Sequence, residues 1–247
     1  MTNYLKQYLQ ENNYKNFDLK AVLFDMDGVL YDSMPAHAQS WQETMEDFGF
    51  KNTKPEDFYL HEGRVGDSTI NMIYEEELNR PATEEEKREI YARKSELFTR
   101  YNSGAILEGS GQIVEMVKEN GLLPVLVTGS GQPTLLDKLN DNFPDTFVRE
   151  TMVTAFDVEI GKPHPEPFLM GLQKGGDLRP NQAIVIENAP LGTEAAHRAG
   201  IFTIAVNTGP LADKILWDSG ANMVLHSMEE LHEVFPKLLS EIRSVTV

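Results

Sequence analysis

Two aspartates, Asp25 and Asp27, directly follow a short apolar run in the stretch AVLFDMDGVLYDS. Side chains two positions apart on an extended chain point to the same side, so both carboxylates can share one site. Neighbouring carboxylates raise each other's pKa unless a cation neutralises them. Oxygen ligands in a chain without cysteine favour a hard ion such as Mg²⁺. The pair therefore indicates a site for such an ion. Together with the groups described next it predicts phosphoryl transfer, in which one carboxylate can be the nucleophile and the other can carry a proton.

Three further apolar segments are followed by groups that phosphoryl transfer needs. Ligands of parallel α/β sheets bind beyond the carboxyl ends of the strands, so these groups should converge. Transferring phosphoryl oxygens need positive charge and hydrogen-bond donors. The groups are Thr128, Gly129 and Ser130 after PVLV, Lys162 in GKPHPEPF after MVTAF, and Glu187 and Asn188 after AIVI.

The elements that must position these groups form an interrupted α/β pattern. Residues 34–104 contain only helical segments, including a capping box in which Thr83 precedes Glu86 by three positions. From residue 105 onward, apolar strands alternate with helices, which indicates a parallel sheet covered on both faces. We predict a Rossmann-like α/β core, built from residues 1–33 and 105–247, with an inserted all-α cap at 34–104. Residues near the N-terminus, including Tyr4, Leu5, Tyr8 and Leu9, predict a short amphipathic docking helix.

Composition and charge limit the classes of molecule that the protein is expected to bind. The 247-residue chain carries a formal net charge of −17, which disfavours binding to the nucleic-acid backbone. It has no cysteine, and its polar N-terminal segment lacks the apolar core of a signal peptide. No apolar run approaches membrane-spanning length. We therefore expect a cytoplasmic protein with a small phosphorylated substrate, no nucleic-acid or membrane partner, and a monomeric or weakly self-associating state.

The motif set DMDGVLYDS, VTGS, GKPHPEPF and VIENAPLGTEAAHRAG resembles, in this order, the four motifs of the haloacid dehalogenase superfamily. The match spans nearly the whole chain, and the joint occurrence of the motifs is highly specific. The helical insertion resembles the C1 cap of the β-phosphoglucomutase-like subgroup. The stretches HEGRVG, VTGSGQ and VIENAPLG are similar to a pyrophosphatase-like branch of that subgroup.

The resemblance implies a role for each motif residue. Asp25 would be the nucleophile and Asp27 the general acid and base. Thr128 would bind the transferring phosphoryl group beside Gly129 and Ser130, and Lys162 would balance the charge of nucleophile and phosphate. Mg²⁺ would be held by the Asp25 side chain, the Asp27 backbone carbonyl and the fourth motif.

The fourth motif departs from the family pattern. The subgroup usually has Glu-Asp there, whereas this chain has Glu187 and Asn188, and an amide brings no charge to Mg²⁺. We hypothesise that Glu62, in the cap stretch LHEGRVG, closes over the site and restores the carboxylate. The alternative for Glu62 is a solvated acid. The candidate metal ligands are thus Asp25, Asp27, Asn188, Glu187 and Glu62.

Three residues are candidates for contact with the rest of the substrate. Arg64 matches the position where relatives use an arginine on a second phosphate, and a structural ion pair is the less favoured alternative. His37 lies where mutases carry a histidine, although a lone histidine on a helix often only packs. Gln132 follows TGSG and could reach the substrate from the core.

Three functions remain open from the sequence. The first is a Mg²⁺-dependent phosphohydrolase of a small phosphate or diphosphate, with inorganic pyrophosphate favoured by the branch resemblance and a sugar phosphate as the other possibility. The second is a β-phosphoglucomutase-type phosphosugar mutase, which would return the phosphoryl group to a bound sugar. The third is a non-catalytic binding protein, which the intact Asp25, Asp27, Thr128 and Lys162 argue against.

Overall fold

The centre of the fold is a six-stranded parallel sheet with the strand order β3-β2-β1-β4-β5-β6. The computed structural model describes residues 1–130 and 133–246. Phe24, the last residue of the first strand, pairs with Leu126 on one side and Ile186 on the other. The residues that follow these strands therefore meet at one edge. The strands are β1 Ala21–Phe24, β2 Leu123–Val127, β3 Met152–Val153, β4 Ala183–Glu187, β5 Phe202–Val206 and β6 Met223–Leu225.

Helices cover both faces of this sheet, which confirms the predicted α/β architecture. Alternate β1 residues enter two separate core clusters: Val22 and Phe24 join the first, and Ala21 and Leu23 join the second. This division follows from the two-residue period of a strand. The helices are α1 Thr2–Glu11, α2 Met34–Asp47, α3 Pro55–Leu60, α4 Gly66–Leu78, α5 Glu84–Tyr101, α6 Ser110–Glu119, α7 Pro133–Asn142, α8 Glu166–Lys174, α9 Pro190–Arg198, α10 Asp213–Asp218 and α11 Met228–Ser244.

Helices α2 to α5 occupy the insertion between β1 and α6 and have an apolar cluster of their own. Trp41, Phe58, Ile70 and Ile90 belong to this cluster, and the indole of Trp41 stacks on the Phe58 ring. Helix α5 begins with the predicted capping box, because Thr83 Oγ1 accepts from the Glu86 N–H and the Glu86 carboxylate accepts from the Thr83 N–H. We refer to these four helices and their connections as the cap.

The N-terminal helix α1 docks on the core, as predicted. Leu5, Tyr8 and Leu9 are buried in the first core cluster, and the Tyr8 hydroxyl donates to the Gly200 carbonyl at 2.8 Å. Tyr4 differs from the prediction because it remains 43% exposed and lies against the Trp217 ring.

The predicted strand MVTAF is shorter than expected. Only Met152 and Val153 pair in the sheet, since the Asp157 carboxylate accepts from the Thr154 N–H and hydroxyl and turns the chain away. The short helices α3 and α10 were not predicted as separate elements. In the part of the chain that the structure describes, no helix has both the length and the apolar character needed to cross a membrane.

Candidate active site

Asp25 and Lys162 form a buried ion pair at the carboxyl edge of the sheet. The Lys162 ammonium lies 2.5 Å from Asp25 Oδ1 and 2.7 Å from Glu187 Oε1, and it also donates to the Val127 carbonyl at 3.2 Å. Although burial alone would lower the pKa of Lys162, the two carboxylates raise it above its usual range. Burial raises the pKa of Asp25, and Lys162 opposes this shift. The lysine is therefore the charge that favours an anionic Asp25.

Glu187 orients Lys162 and shapes the turn into α9. Its Oε1 accepts from Lys162, and its Oε2 accepts from the N–H groups of Asn188 and Ala189 at 2.8 and 2.9 Å. A Cβ on Gly192 would lie only 1.6 Å from Oε1, so glycine makes room for this carboxylate. Both oxygens thus already accept hydrogen bonds, and the metal-ligand role of Glu187 stays a prediction.

Asp27 ends a row of buried polar groups that continues into the cap. Its Oδ1 accepts from the Ser33 hydroxyl at 2.5 Å and lies 3.2 Å from His37 Nε2. His37 Nδ1 lies 2.9 Å from Lys94 Nζ. A protonated lysine only donates, so Nδ1 accepts and Nε2 carries the proton toward Asp27. Burial would raise the pKa of Asp27, but His37, Ser33 and Lys94 outweigh it and lower the pKa below its ordinary value.

Lys94 and Ser33 belong to the site although the sequence analysis missed both. Lys94 is 2% exposed on α5, and burial lowers its pKa to about 8 against the opposing charges of Glu62 and Asp27. The missed signal was a lysine in line with Ile90, Leu97 and Phe98 on the buried face of α5. Ser33 precedes α2 at the N-cap position, where its hydroxyl bonds to Asp27 instead of capping the helix.

The loop between α3 and α4 brings Glu62 and Arg64 over the core. Glu62 is half-buried, and burial raises its pKa, with His37 and Lys94 opposing that shift and Asp27 adding to it. The metal-completing role predicted for Glu62 stays a prediction, and Asp27 is among its neighbours. Arg64 donates to the Ser68 hydroxyl at 3.3 Å, while its buried Nε has no hydrogen-bond partner among the described residues.

The cap and the core together line a small, partly open cavity. Its volume is about 30 Å³, which holds one or two waters. Aromatic rings of the cap form one part of the wall, and Gly129 and Ser130 contribute the core side. Its other polar side chains are His37, His61, Glu62, Arg64, Thr69 and Lys94.

The β2 end supplies the predicted phosphoryl-binding turn. Thr128 follows β2 directly and is buried, and its Oγ1 accepts from the Ser130 N–H at 2.9 Å. This bond folds the chain so that Gly129 and Ser130 face the cavity. The predicted Gln132 lies outside the described residues.

Asn188 has the features of a metal ligand. Its buried Oδ1 has no hydrogen-bond partner among the described residues, and it lies beside Gly28, where a Cβ would approach Asn188 Nδ2 to 2.1 Å. An oxygen left unpaired in a buried site is costly unless a ligand satisfies it. Together with the Asp25 carboxylate and the Asp27 carbonyl that the resemblance implies, this amide forms an oxygen donor set that fits Mg²⁺.

The five predicted ligands do not form one carboxylate cage. Within residues 1–130 and 133–246, no group of three or more His, Asp or Glu side chains is arranged to hold a metal. Glu187 is engaged with Lys162, and Glu62 has the Asp27–His37–Lys94 row as its neighbours. A Mg²⁺ ion commonly uses only one or two carboxylates and fills its remaining positions with water, so the smaller set is sufficient.

Comparison with known proteins gives consistent matches. A family model described as haloacid dehalogenase-like hydrolase matches residues 22–206. Hexitol phosphatase A of Escherichia coli strain K12 is 28% identical over 86% of this chain and 93% of its own. The phosphorylated carbohydrates phosphatase of Thermotoga maritima is 29% identical over 90% and 100% of the two chains. The solved structure of a Bacteroides vulgatus protein, described as a candidate β-phosphoglucomutase, is 50% identical, covers 98% of both chains and has a TM-score of 0.94.

Proposed function

The chain belongs to the haloacid dehalogenase-like hydrolase family, and on that premise we propose that it is a Mg²⁺-dependent phosphohydrolase of small phosphates and diphosphates. Inorganic pyrophosphate is the substrate we favour, and sugar phosphates are the second class. The observation that carries the proposal is the small pocket between cap and core, where the cationic side chains of Arg64 and Lys94 face the core residues Gly129 and Ser130.

In the first step, Asp25 attacks the phosphorus atom. Lys162 donates to Oδ1, so Oδ2 is the candidate attacking oxygen. A bond forms between this oxygen and phosphorus, the bond to the leaving group breaks, and the electron pair departs with the leaving group. We assign the Thr128–Ser130 turn, which lines the cavity through Gly129 and Ser130, to stabilise the phosphoryl oxygens as charge develops on them.

In the second step, a water oxygen bonds to phosphorus while Asp27 takes a proton from that water. The bond between phosphorus and Asp25 Oδ2 breaks, and its electron pair returns to the Asp25 carboxylate. The lowered pKa of Asp27 keeps it anionic, which is the form that acts as a base. A phosphate leaving group is much more acidic than a sugar hydroxyl and needs less help from a general acid. An anionic Asp27 therefore supports a diphosphate substrate over a sugar phosphate.

The cations of the cap suit an anionic leaving group. Arg64 retains a buried Nε without a partner among the described residues, and Lys94 is buried beside His37. Leaving the Arg64 donor unsatisfied is unfavourable, and a second phosphate would satisfy it beside the charge of Lys94. Because the space between cap and core is small, about 30 Å³, a diphosphate would fit there with less movement of the cap than a phosphosugar.

The proposed metal ligands come from the segments that follow β1 and β4. We propose that Mg²⁺ is held by the Asp25 carboxylate, the Asp27 backbone carbonyl and Asn188 Oδ1. When bound, the ion would neutralise charge on the carboxylate and the phosphoryl oxygens. The orphaned Asn188 oxygen is the observation that supports this assignment.

A phosphosugar mutase is the alternative function. The 50% identical B. vulgatus protein is described as a candidate for that activity, and the Asp27–His37 contact would also suit a mutase. The two named phosphatases support hydrolysis of sugar phosphates instead. A cytoplasmic location and a monomeric or weakly associating state remain predictions.

An activity panel with Mg²⁺ separates these functions. It contains pyrophosphate, several sugar phosphates, and β-glucose 1-phosphate with a sugar bisphosphate activator. We expect free phosphate from pyrophosphate at the highest kcat/KM. Glucose 6-phosphate formed without free phosphate would establish the mutase instead. Asp25→Asn is the control, since all of these reactions require the same nucleophile.

A further inference from the structure

The cap touches the core at three glycines that lie in three different loops. The contacting part of the cap is Tyr59 to Val65, which we call the cap segment. A Cβ on Gly129 would lie 2.7 Å from the Gly63 carbonyl oxygen, one on Gly161 would lie 3.2 Å from Val65 Cγ1, and one on Gly209 would lie 2.9 Å from Tyr59 Cδ1.

Backbone conformation does not explain these glycines. None of the three has a positive φ, so the backbone at each site is one that other residues adopt readily. What each glycine provides is space for the cap segment. The glycines follow β2, precede Lys162 and follow β5, and thus support the cap segment from three directions.

The cap segment also carries substrate-facing groups. Glu62 and Arg64 lie between the contact points and line the cavity. Packed interfaces shift as a unit when a methyl group is inserted, because ordinary contacts need 3.4–4 Å. A side chain at a supporting glycine would therefore move Glu62 and Arg64 away from the core and enlarge the cavity.

We propose that Gly161 and Gly209 are specificity-determining positions, which let the cap segment close far enough to favour the smallest phosphorylated substrates over larger ones. This inference rests on the proposed function for the identity of the small substrate, pyrophosphate. The closeness of the contacts does not depend on that identity, so the two claims can fail separately.

The first test measures cap closure without any substrate. The chain has two tryptophans, and Trp217→Phe leaves only Trp41, which is buried and lines the cavity. In that background, we expect Gly209→Ala and Gly161→Ala to increase quenching of Trp41 fluorescence by acrylamide. Gly111→Ala is the matched control, because a Cβ there meets nothing within 4 Å.

The second test measures selectivity. We expect Gly209→Ala to lower kcat/KM for pyrophosphate by about ten-fold, since the added Cβ requires a shift of about 0.5 Å and a misplacement of about 1 Å can cost about a hundred-fold. The loss should be smaller for hexose phosphates, so the ratio of the two activities shifts toward the larger substrate. Adding Tyr59→Ala removes the ring that clashes and should restore much of both the quenching protection and the ratio.

The outcomes separate the two claims. Unchanged quenching and unchanged selectivity in both glycine variants, with native far-UV circular dichroism, would overturn the proposal. A loss in Gly209→Ala that Tyr59→Ala does not relieve would also count against it. The wild type could fail to hydrolyse pyrophosphate while both variants increase quenching and shift selectivity among the phosphates that the wild type does turn over. In that case the proposed function fails and this inference stands.

Discussion

At the scale of residues, the site contains two buried lysines whose pKa values are shifted in opposite directions. Lys162 is held between Asp25 and Glu187, and its pKa is raised. Lys94 faces His37 and has a lowered pKa of about 8. The first should remain charged throughout the physiological range, while the second can change charge under mildly alkaline conditions.

This difference predicts an alkaline limit to activity. Lys94 is protonated below its pKa of about 8 and neutral above it, so a cation that faces the substrate is lost as the pH rises. We expect kcat/KM for the anionic substrate to fall above about pH 8. Lys94→Arg keeps the charge and should move the fall to higher pH, and Lys94→Met should lower activity and flatten the profile. Identical alkaline limits in wild type and Lys94→Arg would contradict the assignment.

The substitution Asn188→Asp would restore the carboxylate that the family usually has at this position. Asn188→Asp adds a negative charge beside Asp25, so the metal-free protein should be less stable while Mg²⁺ binds more tightly. We expect roughly ten-fold tighter binding, about 1.4 kcal/mol. Thermal unfolding with and without Mg²⁺ would measure both effects, with Ca²⁺ as a comparison ion. A Mg²⁺-induced rise in Tm no larger than in the wild type would argue against Asn188 as a ligand.

Site residues that follow the ends of strands could be predicted from the sequence. Site residues that reach the site only through tertiary packing could not. Asp25, Thr128 and Lys162 converge because parallel strands end at one edge of the sheet. Lys94 lies 57 positions beyond His37 and reaches it only because α5 packs on α2. The position of Lys94 on an apolar helix face could have been noticed in the sequence. Its contact with His37 could not have been predicted from the sequence.

At the scale of elements, the loop that carries Lys162 is anchored by Asp157. This carboxylate accepts from Arg149 at 2.5 Å and 2.8 Å, from Thr154, and from Lys174 at 3.1 Å. Arg149, then Thr154 and Lys174, hold the pKa of Asp157 well below its usual range. The same bonds explain why the predicted strand MVTAF ends after Val153.

Asp157→Asn should therefore weaken the fold more at neutral pH than in acid. We expect a loss of about 1–3 kcal/mol in the free energy of unfolding at pH 7, typical of hydrogen bonds to a charged group. Because the folded-state pKa is lowered, this stability is present above the unfolded pKa near 4 and decreases as the pH falls below it. Urea unfolding at pH 7 and pH 3 would measure the difference. An equal loss at both pH values would contradict the role of charge.

At the scale of the whole molecule, the N-terminal helix stabilises the core but lies apart from the chemistry. Leu5 is fully buried in the first core cluster, whereas the candidate catalytic groups lie at the carboxyl edge of the sheet. Leu5→Ala should cost about 2–5 kcal/mol of stability, as expected for a buried leucine. Below the lowered Tm, kcat/KM should match the wild type. A selective loss of activity in the folded variant would show that the arm influences the site.

The overall architecture could be predicted from the sequence more readily than the position of the cap against the core. Periodicity indicated both the parallel sheet and the helical insertion, because each follows from local patterns of apolar residues. The contacts of Tyr59 with Gly209 and of Val65 with Gly161 join distant segments, and nothing local in the sequence pairs them. Substrate size is governed by these contacts, which is why the sequence left hydrolase and mutase open.

The most direct test of the central claim is the mass of Asp25 during turnover. Purified protein is mixed rapidly with pyrophosphate and Mg²⁺, quenched in acid, digested and analysed by mass spectrometry. The account predicts a phosphoryl group on Asp25 in the wild type, release of free phosphate, and loss of both in Asp25→Asn. Steady release of phosphate from pyrophosphate by Asp25→Asn, or a phosphoryl group trapped on a different residue, would contradict it.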